Sequence, residues 1–338
     1  MTRKERAIAV MNREKVDKLP FMPITMMFAA DQIRVPYGRY ATEAALMAEG
    51  QLKVAEKFGA AQISAISDPG VEAHDLGAEV GFPEDNPAYV DESKALLLDK
   101  TILADLNFVP PEEGRRMSNR IEAVRLMAEQ AGNELLVEGW VEGPCAEAAD
   151  LRGINHLMMD FYDDTVFIED LMDFITDQAI AFALNQIDAG ADIIGIGDAA
   201  SSLIGPELYA KYSLPRTRRY IDAIHRAGAL VRLHICGVTE GLAGSWKGLG
   251  ADMIDIDYGN SLKAIREVLG PDDSVLAGNL DPVREVRDGF PGSIKEQLAV
   301  CQTECAPMFI VGAGCEIPRD CPEENLLAML EFAEETAG

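Results

Sequence analysis

Positive charge is scarce in this chain: 30 lysines and arginines stand against 57 aspartates and glutamates, a formal net charge of −27 at pH 7. An anion of that size repels phosphate backbones and acidic lipid headgroups, which excludes nucleic acid and membrane surfaces as expected partners. The excess serves solubility, or an acidic face that docks a particular protein. An apolar run able to cross a bilayer is missing, and the opening Met1 to Arg6 lacks the apolar core of a secretory signal, so a cytoplasmic location is expected. The six cysteines (Cys145, Cys236, Cys301, Cys305, Cys315 and Cys321) follow no regular framework and are expected as reduced thiols or metal ligands rather than disulfides. Low-complexity stretches, Pro/Ser-rich linkers and short repeats are missing as well, so residues 1–338 read as one domain.

What is there is a core-forming composition, 48% hydrophobic and 26% charged, typical of a soluble globular protein. In the second half, short β-rich apolar runs alternate with helical stretches. Residues 192–197, 230–236, 253–257, 274–278 and 308–312 read as buried parallel strands. Pro206 with Glu207, Pro282 after Asp281, and Pro322 with Glu323 and Glu324 suit helix first turns, where a missing N–H costs nothing and negative charge meets the positive dipole end. The alternation predicts an α/β fold, either a barrel or an open doubly wound sheet. The first half offers a charged N-terminal helix over 2–11, a longer helix over 42–58, a strand over 134–139 followed by a loop over 140–145, and an acidic, Gly/Pro-rich loop over 68–89.

The sharpest chemical feature is His234-Ile235-Cys236 at the end of a predicted strand, because residues two apart on a strand point to one side. Cys315 lies just beyond another strand end. In a parallel barrel all such ends open on one face, so the 79 positions between the two cysteines do not separate them in space. Two thiolates and an imidazole suit zinc, and three protein ligands leave a coordination position for substrate, the pattern of a catalytic site. Two thiolates also bring the site near neutrality, which favours activation of a substrate thiol over polarisation of a carbonyl. Core packing of the histidine and cysteines is the alternative. Asp257 is the candidate fourth ligand or an orienting partner of His234, with Asp255 as its rival. Cys321 could stand in for Cys315, whereas Cys301 and Cys305, one helical turn apart, are expected to be buried. Asp68, Glu142, Asp198, Asn279 and Asp281 are candidate lining residues near strand ends, with Asp281 equally able to cap a helix. His74, His156 and His225 have no partner spacing.

Residues 190–198, 205–209, 233–237 and 278–282, together with the opening 2–6 and 16–20, resemble the uroporphyrinogen decarboxylase superfamily. That resemblance implies a single (β/α)8 TIM barrel with an N-terminal helical extension. Within it, the His-x-Cys…Cys pattern is similar to the methylcobamide:coenzyme M methyltransferases, which implies zinc on His234, Cys236 and Cys315. It also implies methyl transfer from a methylated corrinoid such as methylcobalamin, carried by a partner corrinoid protein, to a small thiol such as coenzyme M, with the corrinoid returning to its cob(I) state. The arginine-rich N-terminal stretch of true decarboxylases is replaced by Phe21-Met22-Pro23-Ile24-Thr25-Met26-Met27-Phe28, which makes decarboxylation a distant alternative. A companion methyltransferase that demethylates a small substrate onto a corrinoid protein is the nearer rival, and a non-catalytic corrinoid- or zinc-binding scaffold belongs to a different class.

Overall fold

The computed structural model describes residues 1–337. Short, almost wholly buried apolar segments build one parallel sheet in sequential order. Its strands are β1 (Gln62–Ser64), β2 (Leu136–Glu142), β3 (Ile193–Gly197), β4 (Leu230–His234), β5 (Met253–Ile256), β6 (Val275–Leu280) and β7 (Phe309–Ala313). The gap between β7 and β1 is filled by the backbone around Phe21. Met22 N–H donates to Val311 (2.9 Å), Val311 N–H to Pro20 (2.9 Å) and Ala61 N–H to Phe21 (2.8 Å). This eighth stave closes the barrel, so the edges that an open sheet would expose are paired.

The N-terminal helix α1 (Arg3–Met11) starts at a capping box in which Thr2 and Glu5 exchange side-chain and backbone hydrogen bonds. Its Ala7, Val10 and Met11 pack with Leu136, Ile193, Met253, Val275 and Ile310, residues from the starts of the strands. The helix therefore plugs the N-terminal end of the barrel and leaves the opposite mouth, ringed by the loops that follow the strands, as the open face. Among the described residues no helix is long and apolar enough to cross a membrane.

Two segments differ from the sequence-based expectation. Strand β2 runs on to Glu142, so Trp140 and Glu142 belong to the barrel wall instead of the loop expected over 140–145. Residues 68–89 are not one irregular loop: they hold a helix, Gly70–Leu76, and the first strand of a small antiparallel ribbon, Val80–Gly81 with Tyr89–Val90.

Candidate active site at the barrel mouth

The lowest layer of the site is polar and wholly enclosed. Arg232 of β4 donates to both oxygens of Asp255 on β5 (2.6 and 3.0 Å), to Glu138 on β2 (3.1 Å) and to Gln62 on β1 (3.1 Å). A guanidinium that reaches three other strands can do so only inside the barrel, and two carboxylates surround it where water cannot. Burial opposes ionisation of Asp255, yet the Arg232 and His234 charges outweigh it and hold the carboxyl below its ordinary range.

One residue above Leu233 on β4, Nδ1 of His234 lies 2.9 Å from Oδ2 of Asp255. That contact turns Nε2 toward the mouth, where it sits 2.9 Å from Sγ of Cys236 and 3.8 Å from Sγ of Cys315; the sulfurs are 3.6 Å apart. The donor atoms of His234, Cys236 and Cys315 all lie within 4.8 Å of one another, and among the described residues no other set of three metal-ligating side chains does so. Tetrahedral zinc, with bonds of about 2.3 Å to sulfur and about 2.0 Å to nitrogen, separates two sulfurs by about 3.8 Å and a sulfur from the nitrogen by about 3.5 Å. Two of the three spacings match, and the third needs Cys236 to swing out slightly, so the donor set fits the ion. Burial works against an imidazolium at His234, but Asp255 and Cys315 outweigh it and raise the ring to about 10. The hydrogen bond from Cys236 draws the Cys315 thiol below its ordinary range, burial opposing and His234 assisting, while Cys236 itself is pushed up. The cluster thus stabilises negative charge on sulfur even by its own hydrogen bonds.

Asp257 stands outside this group. Its Oδ2 accepts Gly237 N–H (2.7 Å) and its Oδ1 accepts Tyr258 N–H (2.7 Å). A Cβ on Gly314 would come within 2.5 Å of the Tyr258 nitrogen and 2.8 Å of Asp257 Oδ1, so only glycine lets the loop bearing Cys315 lie against the loop after β5. Asp257 therefore ties the turn after Cys236 to the loop after β5, against which the loop bearing Cys315 packs, and the carboxylate that meets His234 is that of Asp255.

The three donors face a cavity of about 210 Å3. Its apolar walls are Ile24, Met26, Ile66, Pro69 and Trp140, and its polar side chains include Glu142 and Glu316. Trp140 lies across β3: a Cβ on Gly195 would fall 2.1 Å from the indole Cε3, and one on Gly197 would fall 2.9 Å from Cζ2. The glycines of the Ile193–Gly197 run are thus the seat of the ring, whose centre is 6.0 Å from that of His234. Glu142, at the end of β2, accepts from the Trp140 indole (3.3 Å), and burial pushes its carboxyl well up. Burial likewise raises Glu316 to about 7, against the Met27 N–H that it accepts.

The remaining candidates serve the scaffold. Asp68 borders the cavity, but its carboxylate points away and is gripped by Arg116 (2.7 and 3.2 Å) and Ser67 (2.7 Å). Asp198 accepts from the N–H groups of Cys145 (3.0 Å) and Ala146 (2.8 Å), at the start of the helix Pro144–Arg152, and from the hydroxyls of Ser201 and Ser213. Asn279 donates to the carbonyls of Asn260 (2.9 Å) and Asp257 (3.3 Å), and Asp281 caps the turn Pro282–Arg287. Cys301 and Cys305 are buried on the helix Pro291–Cys305, and the Cys321 thiol faces the Val286 carbonyl, outside the donor group. Sequence reasoning did not single out Arg232, Trp140 or Glu316. For Arg232 there was a signal: an arginine inside the apolar run 230–236 needs buried partners.

Comparison with known proteins gives the family and the fold. The model of the family described as Uroporphyrinogen decarboxylase (URO-D) matches residues 2–336. Methylcobamide:CoM methyltransferase MtbA of Methanosarcina mazei is 28% identical over 98% of this chain and 97% of its own length. Methylcobamide:CoM methyltransferase MtaA of Methanosarcina barkeri is 24% identical over 99% and 98%. Among solved structures, a methyltransferase from Methanosarcina mazei superposes with a TM-score of 0.86 at 22% identity, covering 99% of both chains.

Proposed function

This chain belongs to the uroporphyrinogen decarboxylase family, and from that premise we propose that it is a zinc-dependent methyltransferase that moves a methyl group between a corrinoid, borne by a partner protein, and a small thiol. The observation that carries the reading is the convergence of His234, Cys236 and Cys315 on one small cavity at the barrel mouth. The full-length similarity to proteins named for methyl transfer from methylcobamide to coenzyme M supports the reaction class.

The cavity sets the division of labour. At about 210 Å3 it is smaller than the roughly 300–1,000 Å3 that accommodates a drug-sized ligand. A thiol of a few heavy atoms enters it, and a tetrapyrrole stays at the rim. That limit, with the apolar walls of Ile24 and Met26 on the stretch 21–28 that lacks arginine, weighs against a porphyrinogen substrate.

His234, Cys236 and Cys315 would hold the zinc, with Asp255 fixing the tautomer of His234 so that Nε2 presents its lone pair. Zinc bound there supplies the positive charge that lets a substrate thiol lose its proton near neutral pH while keeping its sulfur nucleophilic. Trp140, Ile66 and Met26 exclude water around the acceptor sulfur, so its negative charge is poorly solvated and reactive. In the reaction a sulfur–carbon bond forms, the cobalt–carbon bond breaks with its electron pair left on the corrinoid, and the thiol proton passes to solvent.

Exposed apolar side chains stand where the partner would approach: Leu203 after β3, Val238 after β4, Tyr258 after β5 and Val283 after β6. These loops share the open face. The test is zinc content of the purified protein together with the absorbance change of methylcobalamin mixed with small thiols. One zinc per chain and thiol-dependent loss of the methyl group are expected. Zinc with no methyl loss would redirect the assignment to a companion methyltransferase acting on a small methylated substrate.

A further inference from the structure

The two sulfurs that converge at the barrel mouth are also placed to react with each other. Sγ of Cys236 and Sγ of Cys315 lie 3.6 Å apart, and a disulfide holds its sulfurs about 2.05 Å apart, so a joint approach of about 1.5 Å connects them. The turns that bear them are kept together by the protein itself. Asp257 accepts Gly237 N–H (2.7 Å) on one side, and on the other Gly314 lies so close to Tyr258 and Asp257 that a side chain there would strike both. Both cysteines are partly exposed and both line the cavity of about 210 Å3, which admits a molecule as small as hydrogen peroxide. The other four thiols are buried. Among them Cys301 and Cys305 stand one turn apart on the helix Pro291–Cys305, where Cβ atoms are about 5–6 Å apart, too far for the roughly 3.5–4.5 Å that a disulfide needs.

We propose that Cys236 and Cys315 are an oxidative modification site: when zinc is not bound between them, hydrogen peroxide joins them in a reversible disulfide that shuts zinc out. The proposal rests on the proposed zinc site and adds its regulation. One thiol takes an oxygen atom from the peroxide, giving a sulfenic acid and water, and the neighbouring thiol then displaces that oxygen as a second water while the S–S bond forms. Two S–H bonds break, one S–S bond forms, and the two electrons given up by sulfur reduce the peroxide to two waters. In the zinc-bound protein each sulfur commits a lone pair to the ion, and tetrahedral bonds keep the sulfurs about 3.8 Å apart. In the disulfide neither sulfur is a thiolate, so His234 is left as a single donor where zinc requires several.

The test follows thiols instead of methyl transfer. Full-length protein stripped of zinc by a chelator is given a stoichiometric dose of hydrogen peroxide and unfolded, and its remaining thiols are alkylated and counted by mass. Two of the six thiols should disappear into one cross-linked peptide that joins Cys236 to Cys315. Calorimetric titration of the oxidised protein should show no zinc uptake until dithiothreitol restores it, and zinc-loaded protein should keep all six thiols under the same dose. Cys236→Ser and Cys315→Ser should each abolish the cross-link and leave the four buried thiols unmodified. Retention of every thiol by the stripped protein, a bond between any other pair, or oxygen on Met26 of the same cavity in place of the cross-link overturns the proposal. Zinc uptake by the reduced protein tells the two failures apart: uptake without a cross-link on oxidation removes only the modification site, and no uptake at all removes the zinc reading and the exclusion that rests on it.

Discussion

Oδ2 of Asp255 lies 2.9 Å from Nδ1 of His234, and the same carboxylate is clamped by Arg232 from below. One acid therefore sets both the direction in which the histidine points and the charge balance of the barrel interior. Asp255→Asn should weaken zinc binding about 10- to 100-fold, since the ring loses the partner that fixes its tautomer. The protein should also lose about 3–5 kcal/mol of stability, because a buried guanidinium is left with half its counter-charge. Chelator competition measures the first effect and urea unfolding the second. Unchanged zinc affinity would remove Asp255 from the site's working parts.

The seat of Trp140 on Gly195 makes a second sharp expectation. A Cβ at position 195 would lie 2.1 Å from the indole, far inside contact distance, and the wall of a buried strand cannot retreat. Gly195→Ala should drive the ring out of the cavity wall, with a stability loss of about 1–3 kcal/mol from overpacking. Because the chain has two tryptophans and Trp246 is buried elsewhere, near-ultraviolet circular dichroism should report the change. An unaltered signal and full thiol-dependent activity would mean that the ring has no positioning role.

Legibility in the sequence followed burial pattern. Strands β3 to β7 were readable because parallel strands covered on both faces appear as continuous apolar runs. The closing stave at Phe21 and the three-residue β1 were not, since segments so short carry no period. The ligand set was visible because His234 and Cys236 share a strand end. The function of Asp257 was not, because a carboxylate directly after the strand next to that of His234 reads equally well as a metal donor or a loop tie until the N–H groups of Gly237 and Tyr258 are placed. Asp68 reads as a candidate lining residue near a strand end, and only the fold brings Arg116, 48 positions away, against it and turns its carboxylate to the scaffold. Glu316 simply adjoins Cys315 and belongs to no periodic pattern.

Behind the cavity, burial pushes Glu72 up to about 7, the Glu142 N–H that it accepts opposing the shift and Asp68 and Asp75 adding to it. A carboxyl raised in the folded state contributes stability that is full below its unfolded value near 4.5 and is lost as pH rises through about 7. Glu72→Gln keeps the acceptor oxygen for Glu142 N–H and removes the ionisation. Between pH 5 and 8 the wild-type protein should therefore lose more stability than the variant, by about 2 kcal/mol, the rest of the effect lying below pH 5. Parallel chemical unfolding curves across that range check the sign. A variant that loses as much as wild type would show that Glu72 is ionised in the folded protein throughout.

The apolar residues at the mouth separate docking from chemistry. Leu203, Val238, Tyr258 and Val283 are 66%, 69%, 55% and 42% exposed, and a Cβ on Gly259 would touch the Val238 side chain at 3.4 Å, so at least the loops after β4 and β5 form one continuous surface. Water-exposed apolar side chains on neighbouring loops are stabilised when a partner covers them. None of the four is a donor or lines the thiol cavity. Val238→Ser with Tyr258→Ser should leave zinc content and demethylation of free methylcobalamin near wild type, and lower the rate with a protein-borne methylcorrinoid about tenfold or more, the scale of losing one or two interface anchors. An equal fall with both donors would place these side chains in the reaction instead of the encounter, and no fall with either would move the corrinoid partner to another part of the rim.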